Sequence, residues 1–224
     1  LLGVTYMALA GQYVDVDEEK ALFYINQAEE MLPRIDSLHL KVRIIGLIGN
    51  TFRNMKQLDS VRRYQLTAMK MAETYQLKDE LMVSKVRFGL LYLVEGQFDS
   101  AFSLLHSTVD YYTEVGSSRM LAEIYTTLGH IRLYQYLDNK KELPEYLGQA
   151  KGFVETALVY AEKIKYTAYI SWINNFLSEI YLAEGDAVKS RNFLQAAFNN
   201  YTSIYGTEVM NRTVIQNWKN EQQL

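Results

Sequence analysis

Three histidines, His39, His106 and His130, are the side chains that could exchange a proton near neutral pH or ligate a borderline metal. None is paired with another histidine or an acidic cluster at metal-ligand spacing, which leaves no reason to expect a metal centre. Cysteine is absent, removing thiolate metal sites and disulfides. "GLIGN" at 46–50 is the nearest approach to a glycine-rich loop, but it lies inside a helical pattern, where its glycines read as packing positions. No serine, histidine and carboxylate can be grouped from sequence into a nucleophilic constellation. "NYT" at 200–202 and "NRT" at 211–213 match the glycosylation sequon, a match too short to carry weight. The expected chemistry is therefore recognition, with no catalytic residues, no metal and no cofactor.

Composition narrows the partner. A net charge of −3 with no basic run argues against phosphate-driven binding of nucleic acid. The longest apolar stretch, "FGLLYLV" at 88–94, is far short of the roughly 20 residues that span a bilayer, so no membrane segment is expected. With 224 residues, about half of them hydrophobic, the chain can bury a real core. Localisation, cytoplasmic or periplasmic, is open. The leading leucine, and a helical pattern that runs into the last residue, suggest a piece of a longer protein.

The elements that would position a recognition surface are helices. Only two prolines occur, and apolar residues recur every three and four positions almost throughout. Gly49, Gly89 and Gly129 stand 40 residues apart, and the next small residue in the same context, Ser178, comes 49 further on. An insertion around "LYQYLDNKKELPEY" accounts for the extra nine residues. A bulky residue precedes each small one and an aromatic follows in three units: Ile48-Gly49 with Phe52, Phe88-Gly89 with Tyr92, Leu177-Ser178 with Tyr181. After a turn, a second helix carries residues spaced by four and then three. These are Ala21, Ile25, Ala28; Ala101, Leu105, Thr108; Ala150, Val154, Ala157; and Ser190, Leu194, Ala197. Small residues at this spacing let backbones approach, and large ones fill the space between helices. Pro33 should stop the first second helix, Asp99 should cap the start of the third, and Pro144 suits the first turn of the inserted unit's second helix.

This pattern resembles the tetratricopeptide repeat (TPR) family in a long, about 40-residue variant, against a usual 34. Lys56 in place of the turn glycine, Arg132 in place of the aromatic, and the missing early tryptophan are departures. The resemblance implies an all-α fold, a right-handed α-α superhelix (α-solenoid) of about five helix pairs plus a C-terminal helix. The units are expected near 1–36, 37–76, 77–116, 117–165 with the insertion, and 166–204. Residues 205–224 are expected as a capping helix with the apolar line Met210, Val214, Trp218; the alternatives are a partner-binding helix and the leading helix of another unit.

In repeats of this family the leading helices line the concave face. Carried over, the face holds Arg43, Asn50, Arg53 and Asn54, then Val83, Val86, Arg87, Leu90 and Val94. It continues with Glu123, Thr126, Thr127, His130 and Tyr134, and ends with Trp172, Asn175, Phe176 and Glu179. Arginine forks and amides can hold a carboxylate or a peptide backbone, and the rings offer rigid contact area. The arrangement is similar to the carboxylate clamp of some family members, although Gly46 stands where that clamp has a lysine. The implied function is a non-catalytic protein- or peptide-binding module. Two alternatives stand beside it: the sensing domain of a bacterial transcriptional regulator or sensor kinase, and a scaffold that self-associates, for instance as a homodimer.

Overall fold

The computed structural model describes residues 2–139 and 143–203, and among these every regular element is helical. The first pair is α1 (Leu2–Tyr13) and α2 (Glu18–Met31), closed by a single 3-10 turn at Leu32–Arg34 that contains Pro33. The second is α3 (Leu38–Asn54) and α4 (Leu58–Thr74). The third is α5 (Lys78–Val94) followed by α6 (Phe98–His106) and α7 (Val109–Val115). The fourth is α8 (Ser118–Asp138) and α9 (Glu145–Lys163), and the fifth is α10 (Thr167–Ala183) and α11 (187–203). The segment expected as a capping helix, with Trp218, lies outside the described residues.

The chain divides into two compact units, 1–108 and 109–224. In the first, Ile25, Ile44, Ile48, Phe88 and Leu91 centre a core closed by Ala28, Ala68 and Ala72. In the second, Val154, Ile173, Leu177 and Ile180 pack with Ala122, Ala150, Ala157 and Ala161. The alanines let helices approach, and the branched residues fill the space that remains.

The repeat is written into the turns. Lys56, Gln76, Gly96 and Gly116 all have positive φ, one every 20 residues, and Lys165 and Gly185 resume the same interval after the insertion. A left-handed residue ends each of these helices by turning the chain back, and glycine takes that conformation without strain. Lys56, Gln76 and Lys165 adopt it with side chains, so position outranks residue preference at three of the six sites.

The small residues are contact points. A Cβ built on Gly89 would stand 2.7 Å from Leu105, one on Gly49 would stand 2.7 Å from the Gln65 amide, and one on Gly129 would collide with Val154 and stand 2.9 Å from the Ala150 carbonyl. In the fifth pair the same contact is a buried hydroxyl pair, Ser178 with Ser190 at 3.1 Å. Other contacts recur in register. Phe52 stacks on Tyr64 at 5.4 Å, and Tyr181 stacks on Phe193 at 5.2 Å in the equivalent places. Arg62 pairs with Glu95 at 2.5 Å, as Lys151 pairs with Glu184 at 3.0 Å; both partners are 33 residues apart.

Three local expectations are corrected. Gln97 rather than Asp99 occupies the N-cap of α6, and Asp99 lies within the first turn, where its charge complements the helix dipole. The insertion, read as lying between the two helices of its unit, is partly an extension of the first of them, because α8 continues to Asp138, with Gln135 buried and accepting a bond from Arg132 at 2.7 Å. The second helix of the third pair is broken. Ser107 and Thr108 turn their hydroxyls back onto the Leu104 and Leu105 carbonyls, both at 2.7 Å, an intrahelical bonding mode that competes with the regular ladder.

Candidate functional site

In the first unit the leading-helix face is polar. Arg43 and Asn54 are exposed on α3, while Asn50 and Arg53 are half-buried. Arg87 of α5 lays its guanidinium against Gly46 of α3, so closely that a Cβ there would collide with it. Gly46 thus makes room for an arginine from the next helix. From behind, Gln65 of α4 donates its amide to the Gly46 carbonyl at 3.0 Å. Gln65 is fully buried and sits where the other second helices carry Ile25, Leu105, Val154 or Leu194. Its Oε1 has no hydrogen-bond partner.

In the second unit the face is aromatic. His130 of α8 lies with its ring centre 4.3 Å from Tyr134 and 4.3 Å from Phe176 of α10. Trp172 then meets Phe176 edge-on at 5.0 Å, and Tyr169 meets Trp172 at 5.3 Å. Burial lowers the His130 pKa from its ordinary 6.5 to about 4, so this imidazole is neutral at physiological pH and behaves as a ring in a stack. Phe176 is 5% exposed and braces the stack from within, whereas Trp172 and Tyr134, at 44% and 43%, present their rings to solvent. Asn175 donates to Glu179 at 3.1 Å; burial raises the Glu179 pKa, and that hydrogen bond opposes the shift.

Some residues carried over to this face are structural. Val86, Thr126 and Thr127 are buried, and both threonines bond back to carbonyls of their own helix. Val94 is exposed, and Val83, Leu90 and Glu123 are half-buried. Sequence reasoning missed a cleft of about 470 Å³ between α10 and α11. It is lined by Ala168, Ser171, Trp172 and Asn175 on one side and by Leu194, Ala197, Phe198 and Tyr201 on the other. The exposure of Leu194, predicted as a core residue, is its signature. Among the described residues no three His, Asp or Glu side chains gather to hold a metal ion, and no helix is long and apolar enough to cross a membrane.

Helix pairs in this register, closed by left-handed turns around small contact residues, define a TPR-type repeat fold. Solved structures with this fold match the chain over nearly its whole length. BtubC (BKLC) from P. vanneervenii superposes with a TM-score of 0.71 at 17% identity, covering 92% of this chain and 83% of its own. The kinesin light chain TPR-like repeats of Podosopora anserina superpose at 0.63 and 13% identity, covering 90% and 95%. A Rap protein solved in complex with Competence and Sporulation Factor reaches 0.71 at 18% identity, covering 93% of this chain and 58% of the Rap chain. No protein-family model matches the sequence, and no curated protein matches it.

Proposed function

We propose that this chain is a non-catalytic protein-binding repeat module that holds a partner segment on the aromatic leading-helix face of its second unit. The observation that carries the reading is the aromatic stack of the second unit. Tyr134 and Trp172 are exposed rings packed against the buried Phe176 and the half-buried His130, and a preordered ring offers contact area at little entropic cost. The first unit offers Arg43, Arg53 and Arg87 beside Asn50 and Asn54, chemistry suited to a carboxylate and to peptide carbonyls. A segment held by the second unit therefore carries bulky apolar side chains, and one held by the first carries acidic groups.

The test is selection from a random peptide library on the immobilised chain, followed by binding measurements on Tyr134→Ala and on Arg43→Glu with Arg53→Glu. Selected peptides should be rich in aromatic and acidic residues and lose at least tenfold in affinity on one variant or the other. Peptides that bind all three proteins equally would overturn the placement. A second reading, ligand sensing, draws support from the likeness to the Rap protein solved with a bound factor. It predicts that the selected peptide changes the radius of gyration of the chain in solution scattering, whereas a passive module keeps its dimensions.

A further inference from the structure

We propose that the aromatic face of the second unit takes an arginine side chain of a partner polypeptide, its guanidinium against the exposed Trp172 and Tyr134 rings and its N–H donated to Glu179. The inference rests on the recognition face proposed above and adds the charge of what that face holds.

The chain builds the same arrangement for its own cations. Tyr181 and Glu184 stand three residues apart at the end of α10, and Lys151 of α9 meets both: its ammonium lies 4.5 Å from the centre of the tyrosine ring and 3.0 Å from the carboxylate. Tyr92 and Glu95 repeat the spacing at the end of α5, where Arg62 of α4 pairs with Glu95 at 2.5 Å. Phe176 and Glu179 repeat it again on the leading-helix face of α10, but there no described residue supplies a cation. Glu179 reaches solvent, yet burial raises the pKa of its carboxyl, so the charged form has lost hydration that a cation would replace. Asn175 donates to its Oε1 at 3.1 Å and orients the carboxylate, and no described residue bonds Oε2.

The rings stand where a guanidinium could use them. α8 and α10 each turn back through α9 and so run the same way, touching where His130 meets Phe176 at 4.3 Å. Tyr134 and Glu179 lie four and three residues beyond that contact, about one turn further along their helices, and Trp172 lies four residues before it. The neutral His130 adds no competing charge. Glu123 and Arg119 oppose each other at Tyr169, ten residues and about 15 Å back from Glu179, so neither offsets its charge. A flat guanidinium stacks on rings while its N–H groups reach a carboxylate, which a hydrated ammonium does less well.

The test is a nuclear magnetic resonance titration of the full chain, labelled with nitrogen-15, with N-acetyl-arginine amide and with N-acetyl-citrulline amide, its neutral isostere. The arginine probe should shift the amides of Tyr134, Trp172 and Glu179 and saturate. Citrulline, or a Glu179→Gln variant, should weaken binding about fivefold or more. Equal binding of the two probes, binding unchanged in Glu179→Gln, or no shift near Glu179 would each overturn the proposal. The citrulline arm uses the unaltered protein and so does not depend on the variant folding. Library peptides lost on Tyr134→Ala, with the two probes behaving alike, would keep the recognition face and discard its arginine. Arginine-specific shifts, with library peptides indifferent to Tyr134→Ala, would keep the cation site and discard the peptide placement.

Discussion

The α3–α4 pair of the first unit and the α8–α9 pair of the second solve one packing problem with opposite chemistry. Behind the leading helix of the first lies Gln65, hydrogen-bonded to Gly46, with the Arg87 guanidinium against the same glycine. Behind that of the second lies Val154, with the neutral His130 ring and Phe176 in front. The repeat dictates where a small residue, a turn and a space-filling residue must stand. It leaves open whether hydrogen bonds or rings fill the neighbouring positions, and recognition chemistry can vary there without disturbing the backbone.

Glycine substitutions should separate the two units most widely. Gly129→Ala drives a methyl against Val154 and the Ala150 carbonyl, a backbone atom that cannot swing aside, and should cost about 2–3 kcal/mol. Gly49→Ala meets the Gln65 side chain from its amide down to Cγ but no backbone atom, and should cost about 1 kcal/mol. Urea unfolding that gave the reverse order would break the comparison. Gly89→Leu, against Leu105, should also destabilise clearly.

Acid should act chiefly on the second unit. The His130 pKa is lowered in the fold, so below 6.5 the unfolded chain takes up the proton first, and stability falls with pH down to about 4. Glu179, held above its ordinary range by burial, gives the opposite slope near its own titration. The clean measurement is therefore wild type against His130→Phe, whose stability should decline less between pH 6.5 and 4.

Gln65→Leu should change stability by no more than about 1 kcal/mol in either direction. It removes one hydrogen bond and also one buried oxygen without a partner, two effects of similar size and opposite sign. A large loss would mean that the polar packing of the first unit is indispensable. The smallest effects belong to the paired bridges. Double-mutant cycles on Arg62–Glu95 and Lys151–Glu184 should each return about 0.2–1 kcal/mol, since all four side chains are partly exposed.

Much of this was legible in the sequence because a repeat states its contacts several times. Gly49, Gly89 and Gly129 share one interval, and so do the Ala–large–small lines of the second helices. The positive φ of Lys56 could be inferred from its place, not its type. The break at Ser107 could not, because hydroxyl residues also occur in unbroken helices such as α8. The aromatic face was readable as a set of residues, but not the division between exposed and bracing rings. His130 and Phe176 meet across 46 residues of sequence, and the burial that accompanies that contact lowers the imidazole pKa. The cleft was missed because Leu194 has the sequence pattern of a core residue, although it is exposed.

The interruption between α6 and α7 falls at the seam between the two compact units, each with its own hydrophobic cluster. Each cluster closes around its own helices, as the core of a cooperative block does. If the two clusters melt as such blocks, denaturation is a matter of two events rather than one, and a half-folded chain becomes a species in its own right.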